Sequence, residues 1–330
     1  MARVVSLGSA LQDLYLIDRD DFAAAEVAGQ SIFGQLVIGT KVDIDKASLT
    51  VGGGGTNAAV SFARYGHETI YMGNVARDAA AEAVLACLDE ENIDRSYVEI
   101  LRGQTGCSVL LVDAKSGERT ILTHRGVSRR FNNLDPNDLE LIAPDWLYVT
   151  TLYGDMDTLL KFFEKAKEIG TKIMFNPGEC ELKQLPKLMG LLEDVDVLLV
   201  NKREAAEIVP GVLLTELLAR LANYCPVVII TDGEMGSIAT DHESTYRLGV
   251  YEQVRAKDST GAGDAFGSGF LAAYADGQSF RKSLQYAAAN AANVVQKYGA
   301  KTGILTGSET LHPMPIQLIK DLKNEGEKIC

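Results

Sequence analysis

The chain has 330 residues, of which 46% are hydrophobic and 23% are charged, a mixture typical of a folded globular protein and not of a disordered one. Its formal net charge is −13, so we expect no nucleic-acid partner and no binding to an anionic membrane surface. Five widely spaced cysteines without a C-x-x-C pair argue against a disulfide framework or a zinc site and favour the reducing cytoplasm. The N-terminal apolar run is too short for a signal peptide, and no segment approaches the roughly 20 apolar residues of a membrane span.

The N-terminal third predicts a buried strand, a small β lid and a glycine-rich helix start. Residues Val4–Leu7 are predicted to form the buried strand, which ends at Gly8. The lid is predicted mainly from residues 14–51, where apolar residues alternate loosely with polar ones; a hairpin over 107–123 is a candidate to join it. A helix is predicted from Thr56 to about Tyr65, directly after four glycines. The apolar lid positions include Phe33, Leu36, Ile38, Val42, Ile44 and Leu49.

From Trp146 onward, predicted strands and helices alternate. The predicted strands are Trp146–Thr150, Lys172–Phe175, Val195–Val200, Pro226–Ile230, Ser237–Thr240 and Thr245–Leu248. The predicted helices are Asp157–Ile169, Leu213–Ala222, Ala262–Ala275, Phe280–Lys297 and Pro315–Asn324. This order indicates stacked βαβ units, hence a three-layer α/β/α domain over residues 1–330 with a mostly parallel central sheet.

The strongest chemical motif is the heptapeptide Asp258-Ser259-Thr260-Gly261-Ala262-Gly263-Asp264, a polar turn that leads directly into an apolar helix. Glycines let backbone N–H groups approach an anion closely, and the helix adds the positive end of its dipole. In the first helical turn, the Asp264 carboxylate would stay ionised and accept the proton of a hydroxyl beside this anion site. From these residues alone, Asp264 is equally well explained as a helix cap.

The same heptapeptide resembles the D-[ST]-T-G-A-G-D signature of the ribokinase-like (PfkB) carbohydrate kinases and matches it at every position. The resemblance spans roughly residues 4–302 and implies the ribokinase-like fold. It implies an ATP-dependent phosphotransferase acting on a hydroxyl of a small sugar, with Asp264 as the catalytic base. The anion hole would be formed by Gly261, Ala262 and Gly263. In family members that use a monovalent cation such as K⁺, Asp258 and Thr260 help to bind it.

The implied sugar-binding residues lie near the N-terminus. The segment Gly52–Asn57 resembles the family element G-G-x-G-x-N, whose glycines approach the sugar and whose Asn donates to its hydroxyls. This assigns Gly53, Gly54 and Asn57 to the sugar site. Asp13 follows the first strand and is assigned to the same site, since a carboxylate accepts two hydroxyl protons; a solvated loop residue is the alternative.

The implied ATP and Mg²⁺ site follows the later strands. Asn201 and Glu204 come directly after an apolar strand and resemble the N-x-x-E element, which organises Mg²⁺ and the phosphates mostly through water. The loop 297–302 resembles the family's final nucleotide and cation loop. The other residues that the resemblance assigns to the nucleotide are Thr231, Gly233, Gly236 and Asn290.

Several alternatives share these motifs. A nucleoside kinase, similar to adenosine kinase, would need an aromatic clamp for the base, for which Phe33 and Tyr15 are candidates. A phosphorylated sugar would need extra basic residues, for which Arg125, Arg129 and Arg130 are candidates. A non-catalytic sugar sensor would have lost the base. A loose dinucleotide fingerprint at 53–58 lacks the buried strand that it requires directly before it. The apolar face of the lid predicts a homodimer formed through the lid.

Overall fold

A computed structural model describes residues 1–18, 22, 25–27, 30–32, 39, 41–115 and 119–319. Its strands are β1 Arg3–Leu7, β2 Leu11–Asp18, β3 Ala25–Val27, β4 Gln30–Ile32, β5 Lys46–Gly52, β6 Glu68–Val75, β7 Val98–Ile100, β8 Gly106–Asp113, β9 Arg119–His124, β10 Trp146–Val149, β11 Lys172–Phe175, β12 Val197–Asn201, β13 Val227–Thr231, β14 Ser237–Thr240, β15 Thr245–Leu248 and β16 Ile316–Ile319. Its helices are α1 Gly54–Tyr65, α2 Ala79–Glu90, α3 Asp138–Ile142, α4 Met156–Glu168, α5 Glu179–Leu182, α6 Leu185–Leu192, α7 Lys202–Ile208, α8 Leu214–Leu221, α9 Ala262–Ala275 and α10 Phe280–Val294.

The large sheet has the strand order β16-β15-β14-β13-β12-β11-β10-β1-β6-β7. In this order, the strands from β13 to β7 are parallel to their neighbours. Strands β14, β15 and β16 add an antiparallel edge. Strand β1 lies between β10 and β6. The strands that follow it in the chain are added first on the β6 side and then on the β10 side, so the strand order reverses at β1. Such a reversal opens a crevice at the carboxyl ends of the strands, where open α/β sheets bind their ligands.

Helices cover both faces of this sheet. Alternate residues of the strands enter two different cores, as Leu147 and Tyr148 of β10 do. One core includes side chains of α3 through α8, and the other is built largely from α1, α9 and α10. Because both faces are covered, the central strands are mostly apolar, and Val197–Val200 of β12 is buried at every position. The predicted three-layer α/β/α class is confirmed. Among the described residues, no helix is both long and apolar enough to cross a membrane.

A second, smaller sheet has the order β5-β2-β8-β9. Whereas β3 and β4 pair with each other in a separate two-stranded sheet, this sheet combines β2 and β5, at the two ends of the predicted lid segment, with the hairpin of β8 and β9. Its inward face carries Asp13, Tyr15 and Ser108, all buried. Its outward face carries a row of apolar residues in register, Leu49, Leu14, Val109 and Leu122.

The predicted helix at Pro315–Asn324 is wrong over its described part, because Ile316–Ile319 forms strand β16. The open edge of β15 offers unpaired backbone groups, and antiparallel pairing with it satisfies them. Tertiary context overrides local propensity in such short segments. Residues 320–324 lie outside the described part of the chain, as do the lid positions Phe33, Leu36 and Ile38.

Candidate active site

Two cavities meet at the carboxyl edge of the large sheet, on either side of the loop that leads into α9. One has a volume of about 410 Å³ and lies between this edge and the inward face of the small sheet. The other has a volume of about 510 Å³ and lies beside α9 and α10. Asp264 lines the first cavity, whereas Ala262 and Gly263 line the second. The predicted base and two residues of the predicted anion hole therefore lie at the junction of the cavities.

The tight turn before α9 depends on Gly261. This residue caps the helix with φ of 77°, a left-handed conformation that disfavours residues with a side chain. A Cβ atom here would also lie 2.4 Å from the Cβ of Ala300. The N–H of Ala262, the first of α9, makes a long bond of 3.3 Å to the Ser259 carbonyl. The first N–H groups of a helix lack partners within the helix, and such groups can bind an anion.

The Asp264 carboxylate is held from the opposite helix. Asn57 in α1 donates from Nδ2 to Oδ2 of Asp264 over 2.8 Å. Burial raises the pKa of Asp264, whereas the hydrogen bond from Asn57 and the positive charge of Lys301 oppose that increase. A desolvated carboxylate with one oxygen fixed is suited to accepting a proton from a hydroxyl.

The remaining predicted sugar-binding residues also line the 410 Å³ cavity. Asp13, Gly53, Gly54 and Asn57 all lie on its wall. Asp13 is only 5% exposed, so it is not the solvated loop residue of the alternative interpretation. Burial raises its pKa, opposed by Lys301 and by a hydrogen bond with Ser108. A Cβ at residue 52 would lie 1.9 Å from Oδ2 of Asp13, so a larger residue there would displace this carboxylate.

The far wall of this cavity includes Arg125, which the sequence had made a candidate for the acceptor pocket, and Tyr153, which the sequence interpretation missed. Tyr153 lines it with φ of 56°, unusual for a non-glycine residue, and the Arg125 guanidinium lies 4.4 Å from the centre of its ring. The fully buried carboxylate of Glu181 holds this loop. It accepts hydrogen bonds from the Thr151 hydroxyl (2.7 Å) and from the backbone N–H groups of Leu152 (3.0 Å), Gly154 (2.7 Å) and Gly178 (2.9 Å).

The 510 Å³ cavity contains most of the predicted nucleotide residues. Thr231, the last residue of β13, lines it with Gly233 and Gly236, which follow that strand, and with small residues of α10. Asn290, the fourth of these residues, does not line this cavity. Its side chain is fully buried, donating to the Ala265 carbonyl (2.8 Å) and accepting from the N–H of Leu305 (2.8 Å). The prediction for Asn290 is therefore wrong: the helical phase directs its amide into the core, and the alanines of α10 line the cavity.

Asn201 and Glu204 begin α7 at the carboxyl end of β12. They form a capping box, in which Asn201 Oδ1 accepts from the N–H of Glu204 (2.9 Å) and Glu204 Oε2 accepts from the N–H of Asn201 (2.8 Å). Burial raises the pKa of Glu204, which also lines the 410 Å³ cavity. Among the described residues no cluster of three metal-ligating side chains occurs. This arrangement fits Mg²⁺ held mainly by phosphates and water with one carboxylate nearby.

The predicted cation-binding residue Asp258 is buried and surrounded by donors. Its Oδ2 accepts from the Tyr15 hydroxyl (2.8 Å) and from the N–H of Gly299 (3.2 Å). Its Oδ1 accepts from the N–H of Thr260 (2.9 Å) and lies 3.5 Å from Nε of Arg119. The positive group at Asp258 is therefore a guanidinium from the small sheet.

The chain matches the profile of the family described as pfkB family carbohydrate kinase over residues 1–306. The chain belongs to this family. A ribokinase of Lactococcus lactis subsp. lactis (strain IL1403) is 26% identical to this chain, and the alignment covers 94% of this chain and 96% of the ribokinase.

Solved structures share the fold of the kinase. The Methanocaldococcus jannaschii nucleoside kinase, an archaeal member of the ribokinase family, superposes with a TM-score of 0.76 at 22% identity, covering 93% of this chain and 96% of that one. A putative Ribokinase II from E. coli in complex with ATP and Mg²⁺ superposes with a TM-score of 0.75 at 19% identity, covering 92% and 96%. The family and its ribokinase relatives confirm the resemblance found in the sequence: the protein is an ATP-dependent carbohydrate kinase.

Proposed function

We propose that the kinase binds its acceptor sugar in the 410 Å³ cavity and that Asp264 is the catalytic base. One observation carries this proposal: a single helical turn presents Asp264 to that cavity and Ala262 and Gly263 to the neighbouring cavity. A hydroxyl beside Asp264 thus faces an anion site within the length of one turn. The sugar would be held by Asp13 and Asn57, which accept from and donate to its other hydroxyls.

The proposed reaction is an in-line phosphoryl transfer. Asp264 takes the proton of a sugar hydroxyl as the hydroxyl oxygen forms a bond with the γ-phosphorus of ATP. The bond between that phosphorus and the bridging oxygen breaks, and ADP leaves with the electron pair. The N–H groups of Gly261, Ala262 and Gly263 stabilise the charge on the transferred phosphoryl oxygens. The raised pKa of Asp264 increases its basicity above that of an exposed aspartate.

ATP occupies the 510 Å³ cavity in this proposal. Thr231, Gly233 and Gly236 border it at the antiparallel end of the sheet, and α10 contributes an apolar wall suited to a purine. Glu204 and Asn201 would hold water ligands of Mg²⁺, which supplies charge neutralisation of the phosphates when bound. The E. coli neighbour in complex with ATP and Mg²⁺ supports this proposal.

The acceptor is proposed to be a small sugar, with a nucleoside as the second candidate. The nucleoside is favoured by one feature, the Tyr153 ring with its stacked Arg125, which offers a planar surface on the cavity wall. An ATP-dependent phosphorylation screen over pentoses, hexoses, sugar acids and nucleosides would decide between them, with ADP release as the readout. Asp264→Asn serves as the blank in each reaction. Turnover of nucleosides alone would contradict the sugar assignment, and turnover of no acceptor would favour a sugar sensor.

The residues around Asp258 do not fit a K⁺ ion bound to its carboxylate. Four donor groups already approach its two oxygens, and the Arg119 guanidinium supplies a positive charge. Nη1 of Arg119 also donates to the Ser259 hydroxyl (2.7 Å), in the turn before α9. We therefore propose that Arg119 takes the place of the monovalent cation and that the kinase does not require K⁺.

The small sheet is proposed to act as a lid and as a homodimer interface. Its inward face covers the acceptor cavity, so closure would exclude water from the reacting groups. On its outward face Leu49 is 64% exposed and Leu122 is 57% exposed, in line with half-buried Leu14 and Val109. Contiguous apolar surface of this kind marks association sites. Analytical ultracentrifugation of the wild type and of Leu122→Lys tests this interface. We also propose a cytoplasmic location, in keeping with free thiols at the described cysteines.

A further inference from the structure

Lys301 is a buried lysine behind the acceptor cavity. It is only 8% exposed, and its ammonium group donates to the Val51 carbonyl (2.8 Å), the Thr56 hydroxyl (2.9 Å) and Oδ1 of Asn57 (2.6 Å). An ammonium has three donors and no acceptor, so these three bonds use its full capacity. A buried charge is costly unless it is fully paired, which indicates that this lysine has a specific task.

The third of these bonds determines how Asn57 is oriented. Because an ammonium can only donate, it requires the oxygen of the Asn57 amide, and the amide nitrogen must then point the other way. That nitrogen donates to Oδ2 of Asp264 over 2.8 Å. An amide that turned over would present its oxygen to the carboxylate and its NH₂ group to the ammonium, and both contacts would be repulsive. The bond from Lys301 prevents this.

We propose that Lys301 is a positioning residue of the kinase: it fixes the amide of Asn57 and, through that amide, the carboxylate of Asp264. This proposal rests on the assignment of Asp264 as the base. Within the family resemblance, loop 297–302 had been assigned only to the nucleotide and a cation. The new role connects this loop to the acceptor side of the reaction.

The backbone of Lys301 is itself held in place. Nη1 of Arg64 in α1 donates to the carbonyl oxygens of Lys301 (2.9 Å) and Ile304 (3.2 Å). The other guanidinium nitrogens of Arg64 bind Glu91 after α2, with Nε to Oε2 at 2.9 Å. The side chain of Lys301 thus extends from an anchored loop toward a fixed target, as positioning requires.

The charge of Lys301 also acts on the acceptor cavity. The titratable groups that face it are Asp13 on β2, Cys87 and Glu91 on and after α2, and Asp264 on α9. Burial lowers the pKa of Lys301 to about 8, opposed by these groups, so it carries its charge at neutral pH. That charge opposes the burial that raises the pKa of Asp264. Removing it should therefore raise the pKa of Asp264 further, so a higher pH is needed to ionise the base.

The test compares Lys301→Met and Lys301→Gln with the wild type, with Lys161→Met as the control because Lys161 is an exposed lysine of α4 that lines neither cavity. We expect kcat to fall by at least about tenfold in both Lys301 variants, while the KM for ATP changes little. The acid limb of the kcat–pH profile should move upward by about one pH unit, as expected for loss of a charge near a carboxylate. The control should match the wild type in both respects.

Asp264→Asn in the same assay separates the two proposals. If Asp264→Asn is as active as the wild type, the assignment of the base fails. If it is inactive while both Lys301 variants keep the wild-type kcat and acid limb, the base stands and the positioning role is overturned. Thermal melts establish folding, and loss of cooperative melting in both variants would also overturn the proposal, because Lys301 would then serve stability and not the carboxylate.

Discussion

Replacement of Gly261 by alanine tests whether the turn before α9 requires a glycine. The residue has φ of 77°, and a non-glycine residue in the left-handed region costs about 1–2 kcal/mol. The new methyl group would lie 2.4 Å from the Cβ of Ala300, which real structures do not tolerate without a shift. Overpacking of this kind costs about 1–3 kcal/mol. We therefore expect Gly261→Ala to lower the free energy of unfolding by about 2–5 kcal/mol.

Two further variants separate these contributions. Gly263→Ala is the matched control, since no heavy atom lies within 4 Å of its added Cβ and alanine is the better helix former; its stability should be unchanged or about 1 kcal/mol higher. Adding Ala300→Gly to Gly261→Ala removes the 2.4 Å contact with Cβ, while Cα of residue 300 stays at 3.0 Å and the backbone strain persists, so we expect recovery of about 1–3 kcal/mol.

Urea denaturation followed by circular dichroism measures these differences. We expect Gly261→Ala to have a clearly lower midpoint of unfolding than the wild type, and Gly263→Ala not to. Activity gives a second reading, since movement of the anion hole should reduce the kcat of Gly261→Ala by about 10²-fold. Equal stability of Gly261→Ala and Gly263→Ala would refute the account of the turn.

Two other predictions concern the acceptor loop and the cation. Glu181→Gln leaves some of its four hydrogen-bond donors unpaired, so we expect the stability to fall by about 1–3 kcal/mol in urea titrations. In initial-rate assays the KM for the sugar should rise more than the KM for ATP does. If the variant keeps the wild-type stability and the wild-type KM for the sugar, Glu181 does not hold the loop. Because Arg119 lies at Asp258, turnover and melting temperature should be the same in KCl, NaCl and choline chloride at constant ionic strength. Activation or stabilisation by KCl alone would contradict the replacement of the cation by Arg119.

Local patterns in the sequence predicted most of the fold. The apolar strands after Trp146 and the intervening amphipathic helices indicated a parallel sheet covered on both faces, because few other architectures bury such segments. The short helices α5 and α6 went unrecognised because glycine and proline interrupt the pattern of the 177–190 segment. Strand β16 was mistaken for a helix because its pairing partner, β15, lies about 70 residues earlier in the chain.

The candidate site was likewise only partly predictable from local sequence. Asp264 and Gly261 were predictable because a continuous motif carries both the turn and the carboxylate. Lys301, Glu181 and Arg119 were not, since each acts on residues distant in sequence. The amide of Asn57, for example, lies 244 positions from Lys301. The signal available for Lys301 was a charged residue within an otherwise apolar or glycine-containing segment, which becomes informative only when burial is known. Glu181 lies between the charged residues Glu179 and Lys183, so the local sequence did not distinguish it. Asn290 failed for a related reason, because an uncertain helical phase decides between core and cavity.

The central claim is that Asp264 accepts the proton of the acceptor hydroxyl. Its most direct test is the kcat of Asp264→Asn with the best acceptor, measured under saturating ATP and Mg²⁺ on protein shown to melt cooperatively. The amide keeps the size of the side chain and can still contact Asn57, but it cannot take up the proton. The account predicts a decrease of about 10²–10⁴-fold, the usual contribution of a general base. A variant that retains more than about a tenth of the wild-type kcat would contradict it.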